Sequence, residues 1–369
     1  MTQTPPLSPT PEELHRFPCE QCGADYRFDP TKGTLTCDHC GHTTMLVGQE
    51  APVIRELDFR DALNNQLPQQ EIEETRVSTC PNCAAQVEFD ALNHSLECPF
   101  CATPVVTDTG THRHIKPRAV LPFKWTEREA HKAMSDWLGR LWFAPNGLKD
   151  YARKGRRMDG IYVPFWTYDA QTASRYSGQR GIVYYETRTV MVDGKRQQQQ
   201  VQKIRWTPVS GRVARFFDDV LVLASRSLPK SYTDALQPWD LRDLQPYAPE
   251  YLAGFRAEGY AVELPEGYDE ARALMDRTIE RDVRFDIGGD RQMIHQVDTK
   301  VSDVTFKHIL LPVWLAAYKY RGKTYRFVVN GQTGRVQGER PYSSWKIAIA
   351  VVLGLCAAAA VGYIMAQNQ

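Results

Sequence analysis

The sequence lacks the short motifs by which many enzymes are recognised. It contains no G-x-x-x-x-G-K-[ST] phosphate loop, no G-x-G-x-x-G dinucleotide fingerprint, no G-x-S-x-G nucleophile elbow and no H-E-x-x-H metal-binding pair. Its carboxylates are spread along the chain, without a pair that the sequence alone assigns to one pocket. We therefore expect a non-enzymatic protein, although a catalytic site assembled by the fold leaves no such motif.

An excess of charge of either sign is also lacking. The 369 residues include 45 Lys and Arg against 44 Asp and Glu, a formal net charge of +1. This balance excludes attraction of the whole protein to nucleic acid or acidic lipid, so only a local patch can bind either. One patch has five basic residues within nine positions: Lys149, Arg153, Lys154, Arg156 and Arg157. This patch is expected to contact phosphates, and lipid headgroups rank above nucleic acid as their source. The alternative is that the patch is a solvated loop.

The two ends of the chain contrast. Residues 1–15 are polar and proline-rich, without the basic and apolar segments of a signal peptide, and are expected to be a disordered leader. From Ile347 to Ala366 there are twenty residues without a charge, which as a helix would be about 30 Å long. Basic residues precede this run, so we expect a transmembrane helix over 345–366 with the N-terminus in the cytoplasm. A buried core helix is the alternative.

Small residues recur every four positions within this run: Ala350, Gly354, Ala358 and Gly362. Such a stripe lets two helices approach closely, which predicts self-association or pairing with another membrane helix. The alternative is that alanine and glycine are simply common in the segment.

Nine cysteines are many for this length, and eight of them form two identical patterns. Each pattern is C-x2-C-x14-C-x2-C: Cys19, Cys22, Cys37 and Cys40, then Cys80, Cys83, Cys98 and Cys101. Every member of the second set lies 61 positions after its counterpart, and Leu96 likewise repeats Leu35. The pattern therefore indicates an internal duplication.

Four cysteines at this spacing are typical of a zinc ribbon. A C-x2-C turn directs two thiolates at one point, and a hairpin brings the second pair to complete a tetrahedron. Four thiolates leave no open position, so we expect two structural Zn²⁺ ions, in ribbons over 16–48 and 77–108 joined by a linker over 49–76. Disulfides would need an oxidising compartment. Iron remains an alternative, because it also binds four cysteines.

Residues 109–340 have the composition of a folded domain. Thr126 with Glu129 forms a capping box before a helical pattern that Pro145 to Gly147 would end, and a second helix is expected over Pro265–Arg281. Asp193-Gly194 predicts a hairpin turn. Strands are expected over Ile161–Tyr168, Gly181–Val192, Val201–Trp206, Asp219–Ala224, Gln292–Val297, His308–Tyr320 and Tyr325–Val329. This order predicts an α+β domain with mainly antiparallel sheet.

A weaker echo occurs within this domain. Val163-Pro164-Phe165-Trp166 is similar to Leu311-Pro312-Val313-Trp314. The echo indicates either a duplicated half-domain or two edge strands, which tolerate proline.

The two four-cysteine patterns, Ile161 to Trp166, Val328 to Gly334 and the apolar C-terminal run together resemble a bacterial family of double-zinc-ribbon membrane proteins. Its members are often labelled primosomal replication-restart helicase-like or transcription-factor-IIB-type zinc-ribbon proteins. Some relatives are associated with band-7 (SPFH) proteins and phage-shock-type proteins. The resemblance implies a single-pass, tail-anchored protein of the bacterial inner membrane that recruits such partners. Helicase activity is not implied, because the motor motifs are missing.

Three functional hypotheses follow. The favoured one is a membrane adaptor that presents its ribbons to cytosolic or membrane protein partners. The second is a membrane-tethered nucleic-acid-binding protein, because zinc ribbons commonly bind nucleic acid. The third is an enzyme whose site is assembled within 112–340.

Overall fold

Antiparallel β-sheet dominates the fold. The computed structural model describes residues 17–46, 53–68, 71–80, 85–88, 95–98, 100, 104–106, 111–140, 158–192, 195–320, 323–339 and 344–367. The strands are β1 (Tyr26–Asp29), β2 (Thr34–Cys37), β3 (Thr43–Met45), β4 (Leu57–Asp58), β5 (Ile72–Thr79), β6 (Gln86–Glu88), β7 (Ser95–Glu97), β8 (Pro104–Val106), β9 (Thr111–Ile115), β10 (Ala119–Val120), β11 (Asp159–Val192), β12 (Lys195–Leu223), β13 (Gln245–Pro246), β14 (Arg256–Ala257), β15 (Arg291–Tyr320), β16 (Lys323–Asn330) and β17 (Val336–Gly338). The α-helices are α1 (Phe59–Leu63), α2 (Glu127–Arg140), α3 (Lys230–Leu236), α4 (Leu264–Ile287) and α5 (Ser344–Gln367).

The prediction of an α+β fold is wrong. The described residues form mostly antiparallel sheet, curled into a half-barrel, with few helices. The main sheet has nine strands, in the central order β12-β11-β15-β10-β13. Three of its strands are very long, with 34 residues in β11, 29 in β12 and 30 in β15.

Each of the three long strands is continuous where the sequence predicts two separate strands. Residues 169–180, between two predicted strands, are mostly polar, and they lack the β-branched run that indicates a strand. In β11 this segment pairs with β12 along one edge and with β15 along the other. Pairing on both edges outweighs a weak local preference, because β propensity depends strongly on neighbouring strands. The expected hairpin between β11 and β12 is present, with Val192 opposite Lys195.

Helix α4 covers one face of the long strands. Its buried residues recur at helical spacing and include Ala271, Met275, Ile279 and Val283. They form one hydrophobic cluster with Trp166 and with other residues of β11, β12 and β15. Because this packing continues to Ile287, the helix ends six residues beyond the predicted Arg281.

Helix α2 begins with the predicted capping box. The backbone N–H of Thr126 donates to Glu129 Oε2 at 2.9 Å, and that of Glu129 donates to Thr126 Oγ1 at 3.3 Å. Its predicted end near residues 145–147 lies outside the described residues.

The two P-x-W segments lie in the middle of the sheet. Val163 of β11 pairs with Leu311 of β15, so the segments run antiparallel about a local two-fold axis. The edge-strand interpretation is wrong, because β11 and β15 each pair with strands on both sides. Trp166 and Trp314 occupy equivalent places, and each donates its indole N–H to a backbone carbonyl at 2.9 Å.

The C-terminal helix corrects the membrane predictions. Within the described part of the chain, no helix combines the length and the apolarity needed to cross a bilayer. The predicted span over 345–366, the tail anchor and the single-pass inner-membrane location are therefore wrong.

Candidate metal centre

Two equivalent turns position the first four cysteines. In one turn the backbone N–H of Gly23 donates to the Cys19 carbonyl at 2.8 Å, and in the other Gly41 donates to the Cys37 carbonyl at 2.9 Å. The two glycines have φ of +74° and +75°, a conformation that other residues rarely adopt. Each C-x2-C-G segment thus folds into the same tight turn, with two sulfur atoms on one side.

The four sulfur atoms form a compact cluster that could hold a metal ion. Sγ of Cys19 lies 3.5 Å from that of Cys40, and Sγ of Cys22 lies 3.5 Å from that of Cys37. All four sulfur atoms lie within 4.8 Å of one another. Sulfur ligands around a tetrahedral zinc are about 3.8 Å apart, as a bond length of about 2.3 Å requires. The spacing of these donors fits such an ion.

The four thiols shift one another's pKa values in opposite directions. Burial would raise the pKa of Cys19, but hydrogen bonds from the backbone at Gln21 and Cys22 and from Tyr26 lower it to about 6. At Cys40 a backbone hydrogen bond from His42 lowers the pKa, but burial and the three neighbouring thiols outweigh it and raise the pKa to about 12. Four thiols this close do not all ionise unless a cation offsets their charge.

Tyr26 and His42 lie around the sulfur cluster. The Tyr26 hydroxyl contacts the Cys19 thiol and lies 2.6 Å from Nδ1 of His42. Neither histidine that follows the first pattern, His39 or His42, belongs to the group of possible metal ligands. This matches the expectation that four cysteines complete the ligand set, and it gives His42 an orienting role.

The first ribbon, β1 to β3, is fixed to the main sheet. Phe28 is 2% exposed, and its ring packs edge-on against Tyr251 with centroids 5.4 Å apart. Its backbone N–H donates to the Ala253 carbonyl at 3.0 Å. Arg27 lies over the ring of Phe255, with Cζ 5.8 Å from the centroid. These contacts hold the metal centre in a defined position.

The second ribbon repeats the first where it is described. Thr34 pairs with Met45 in the first, and Ser95 pairs with Val106 in the second, at the 61-residue offset. The hydrogen bond from Cys19 N–H to the Ala24 carbonyl recurs from Cys80 to Ala85. Cys80 and Cys98 are buried in a hydrophobic cluster of the main sheet. Cys83 and Cys101 lie outside the described residues, so the second site is less clear than the first.

A buried carboxyl group lies beside the second ribbon. Glu258 accepts hydrogen bonds from the hydroxyls of Ser225 at 2.8 Å and Ser227 at 3.0 Å. Burial raises its pKa to about 8, the two serines oppose the shift, and the nearby Cys98 adds to it. Its surroundings therefore favour the neutral carboxyl group beside the Cys98 thiol.

A cavity of about 520 Å³ lies between the first ribbon and the start of α2. Phe28, Phe255 and Trp314 provide its apolar surface, while Arg27, Asp38 and Arg128 add charges. Nε2 of His131, another lining residue, is buried and has no hydrogen-bond partner among the described residues. The volume suits one or two side chains of a partner or a small ligand.

A cluster of four charged residues at a bulge of β11 could not be recognised in the sequence. Lys307 is 7% exposed and lies 2.7 Å from both Glu56 Oε1 and Asp219 Oδ1. Asp169 accepts from the Asp219 backbone N–H, and burial together with its hydrogen bond to Glu56 raises its pKa to about 7. The four residues come from distant segments, so no sequence motif reveals them. They pair with one another and join β11, β12 and β15 to the segment before β4.

The remaining predicted site residues are not assembled into a site. Lys149, Arg153, Lys154, Arg156 and Arg157 lie outside the described residues. In α5, Ala350, Gly354 and Ala358 are exposed, and no described atom lies within 4 Å of the Cβ position of Gly354. The role of this stripe, with Gly362, in helix pairing stays a prediction.

Comparisons with known proteins give one distant likeness. The chain is 24% identical to the uncharacterized protein YdjG of Bacillus subtilis over 334 residues, which cover 90% of this chain and 92% of that protein. No protein-family model matches the chain, and no solved structure matches it. The likeness covers most of the chain and assigns no function, because that protein is itself uncharacterized.

Proposed function

We propose that the protein is a non-enzymatic adaptor, in which two structural zinc ribbons and the β-sheet body present one fixed surface to protein partners. The observation that carries this proposal is the docking of the first ribbon on the body through Phe28, Tyr251 and Ala253. A ribbon of about 30 residues has too small a core to fold alone, so metal and docking together hold it in place.

Zinc is the ion that best suits the donors, because four thiolates in a closed tetrahedron are typical of structural zinc. The second ion is proposed from the repeat, since Cys80 and Cys98 occupy the positions of Cys19 and Cys37. Both sites would then stabilise the fold and take no part in a reaction.

The cavity beside the first ribbon gives the adaptor an anchor point. An apolar floor with a charged rim is the usual setting of a residue that dominates a protein interface. Among candidate partners, the resemblance supports band-7 and phage-shock-type proteins as the first to test.

The first ribbon itself is a poor surface for nucleic acid. Residues 17–46 contain four acidic residues, Glu20, Asp25, Asp29 and Asp38, against two basic ones, Arg27 and Lys32. Four thiolates around Zn²⁺ would add a further charge of about −2. The ribbon would therefore repel phosphates, which favours the protein-adaptor proposal over ribbon-mediated nucleic-acid binding.

The test is binding of purified band-7 and phage-shock-type proteins to the full-length chain. Arg128→Glu reverses a charge at the cavity, and Lys132→Glu is its matched control, at an exposed residue one turn along α2 that does not line the cavity. We expect Arg128→Glu to weaken binding at least about tenfold and Lys132→Glu to leave it within about twofold.

Substitution of Cys19 and Cys22 by serine should abolish the same binding, because it removes the metal that supports the ribbon. The proposal fails if no partner binds the intact protein, or if both charge reversals and the cysteine variant bind equally well.

A further inference from the structure

The β11–β12 hairpin extends beyond the main sheet as a two-stranded arm. The last residue of β11 that pairs with β15 is Gly181, opposite Arg291. From there to Val192, β11 pairs with β12 alone, from Gly181 opposite Trp206 to Val192 opposite Lys195. Twelve pairs at about 3.3 Å per residue make an arm about 40 Å long. We define the arm as the paired residues 181–192 and 195–206.

The arm is basic in a chain that is nearly neutral. Between residues 181 and 206 there are five basic residues, Arg188, Lys195, Arg196, Lys203 and Arg205, against two acidic ones, Glu186 and Asp193. The stretch of sequence from 181 to 206 therefore has a formal charge of +3, while the whole protein has +1. A positive projection on a neutral body attracts a polyanion locally, without involving the rest of the surface.

The two faces of the arm differ in chemistry. Alternate residues share a face, so Tyr184, Arg188, Lys203 and Arg205 lie together, with Arg205 Cζ 5.4 Å from the Tyr184 ring centroid. Glu186 on this face forms ion pairs with Lys203 and Arg188. The opposite face is uncharged over its described side chains. It exposes the hydroxyl and amide groups of Tyr185, Thr187, Thr189, Gln198, Gln200 and Gln202, and nearer the body it also exposes Ile204 and Trp206.

We propose that the arm inserts into the major groove of duplex DNA. That groove is about 12 Å wide and admits a two-stranded β-ribbon, and the arm is about as long as one helical turn. The glutamine and hydroxyl face meets base edges, where glutamine pairs well with adenine. Arginine and lysine side chains of the other face extend to the phosphates on the groove walls.

Among anionic occupants, the arm suits DNA better than an acidic protein. An acidic peptide needs a cationic surface, and it gains little from a row of exposed glutamines beside a cationic face.

The test measures binding of the full-length protein to a labelled B-DNA duplex of about three turns over a series of salt concentrations. We expect the affinity to fall steeply as salt rises. Combining Arg188→Gln, Lys203→Gln and Arg205→Gln should reduce the slope of log K against log salt by about 2 to 3, since each phosphate contact contributes about 0.9. The triple variant should keep the unfolding curve of the parent, because these cations form only exposed pairs.

The matched control replaces three exposed cations away from the arm, Lys132, Arg256 and Arg277, by glutamine, and we expect the parent slope. Duplex RNA should bind at least about tenfold more weakly, because the A-form major groove is too narrow for the ribbon. Three results would overturn the proposal: no binding of DNA, equal slopes for the two triple variants, or equal binding of duplex RNA or poly-glutamate.

Discussion

The ring of Phe28 in the first ribbon packs edge-on against the ring of Tyr251 in the body, with their centroids 5.4 Å apart. Phe28 is 2% exposed, so Phe28→Ala removes most of the apolar contact that docks the ribbon. We expect a loss of about 3 kcal/mol or more in the free energy of unfolding, and faster amide hydrogen exchange over residues 17–46. Denaturant titration and exchange mass spectrometry measure the two effects.

Met45→Ala is the control for this variant, because Met45 lies in the same ribbon and is 79% exposed. It should change neither quantity beyond about 0.5 kcal/mol. If exchange over 17–46 is the same in both variants, the ribbon does not depend on docking.

Two helical glycines should respond to alanine in opposite directions. A Cβ atom at Gly267 in α4 would lie 2.7 Å from Cδ1 of Trp166 and from the hydroxyl of Tyr168, both buried. At Gly139 in α2 it would meet no described atom within 4 Å. We expect Gly267→Ala to destabilise by about 1–3 kcal/mol and Gly139→Ala to stabilise by about 0.5–1 kcal/mol. Thermal unfolding with the same sign for both would contradict this packing.

The buried His308 predicts a dependence of stability on pH. Burial lowers its pKa from 6.5 to about 4, the backbone hydrogen bond at Ile115 opposes the shift, and the nearby His114 adds to it. Because the folded-state pKa is depressed, the stabilisation is complete above about pH 6.5 and is lost as pH falls through 4. The loss attributable to this residue is about 3 kcal/mol.

The control for this prediction is the variant His308→Gln, in which the side chain at position 308 does not titrate. The difference in unfolding free energy between the two proteins should change by about 3 kcal/mol between pH 7 and 4. All other groups titrate in both proteins, so their contributions cancel in this difference. Parallel profiles over this range would show that His308 is not buried in its neutral form.

The ion pairs of Lys307 should contribute to stability. Lys307→Met leaves the partly buried Glu56 and Asp219 without their common cation, and we expect a loss of about 2–4 kcal/mol. Lys300→Met is the control, because Lys300 is exposed on the same strand. Chemical denaturation that shows equal stability for the two variants would rule out a structural role for the cluster.

The local features of the chain could be predicted because their causes are local. The cysteine spacing, the capping box of Thr126 and Glu129 and the hairpin that pairs Val192 with Lys195 each depend on a few neighbouring residues. The predicted second helix was six residues too short, because its last turns are held by packing against the sheet. The 34-residue strand β11 was divided for the same reason, since its polar middle is a strand only when both neighbours are in place.

Features assembled from distant segments could not be predicted. Lys307 meets Glu56 and Asp219 only after three strands have paired, and Phe28 meets Tyr251 only after the ribbon has folded. The apolar C-terminal run shows the opposite error, because a run of sequence without charge is not sufficient for a membrane span.

The metal content of the purified protein tests the central claim most directly, namely that Cys19, Cys22, Cys37 and Cys40 hold a structural zinc ion. Full-length protein, a Cys19→Ser/Cys22→Ser variant and a Cys356→Ser control, in which the substituted cysteine is outside both patterns, are analysed for metal per chain. We predict that the double variant contains about one zinc ion fewer than the parent and the control. Equal metal content in all three proteins, or no metal in the parent, would contradict the account.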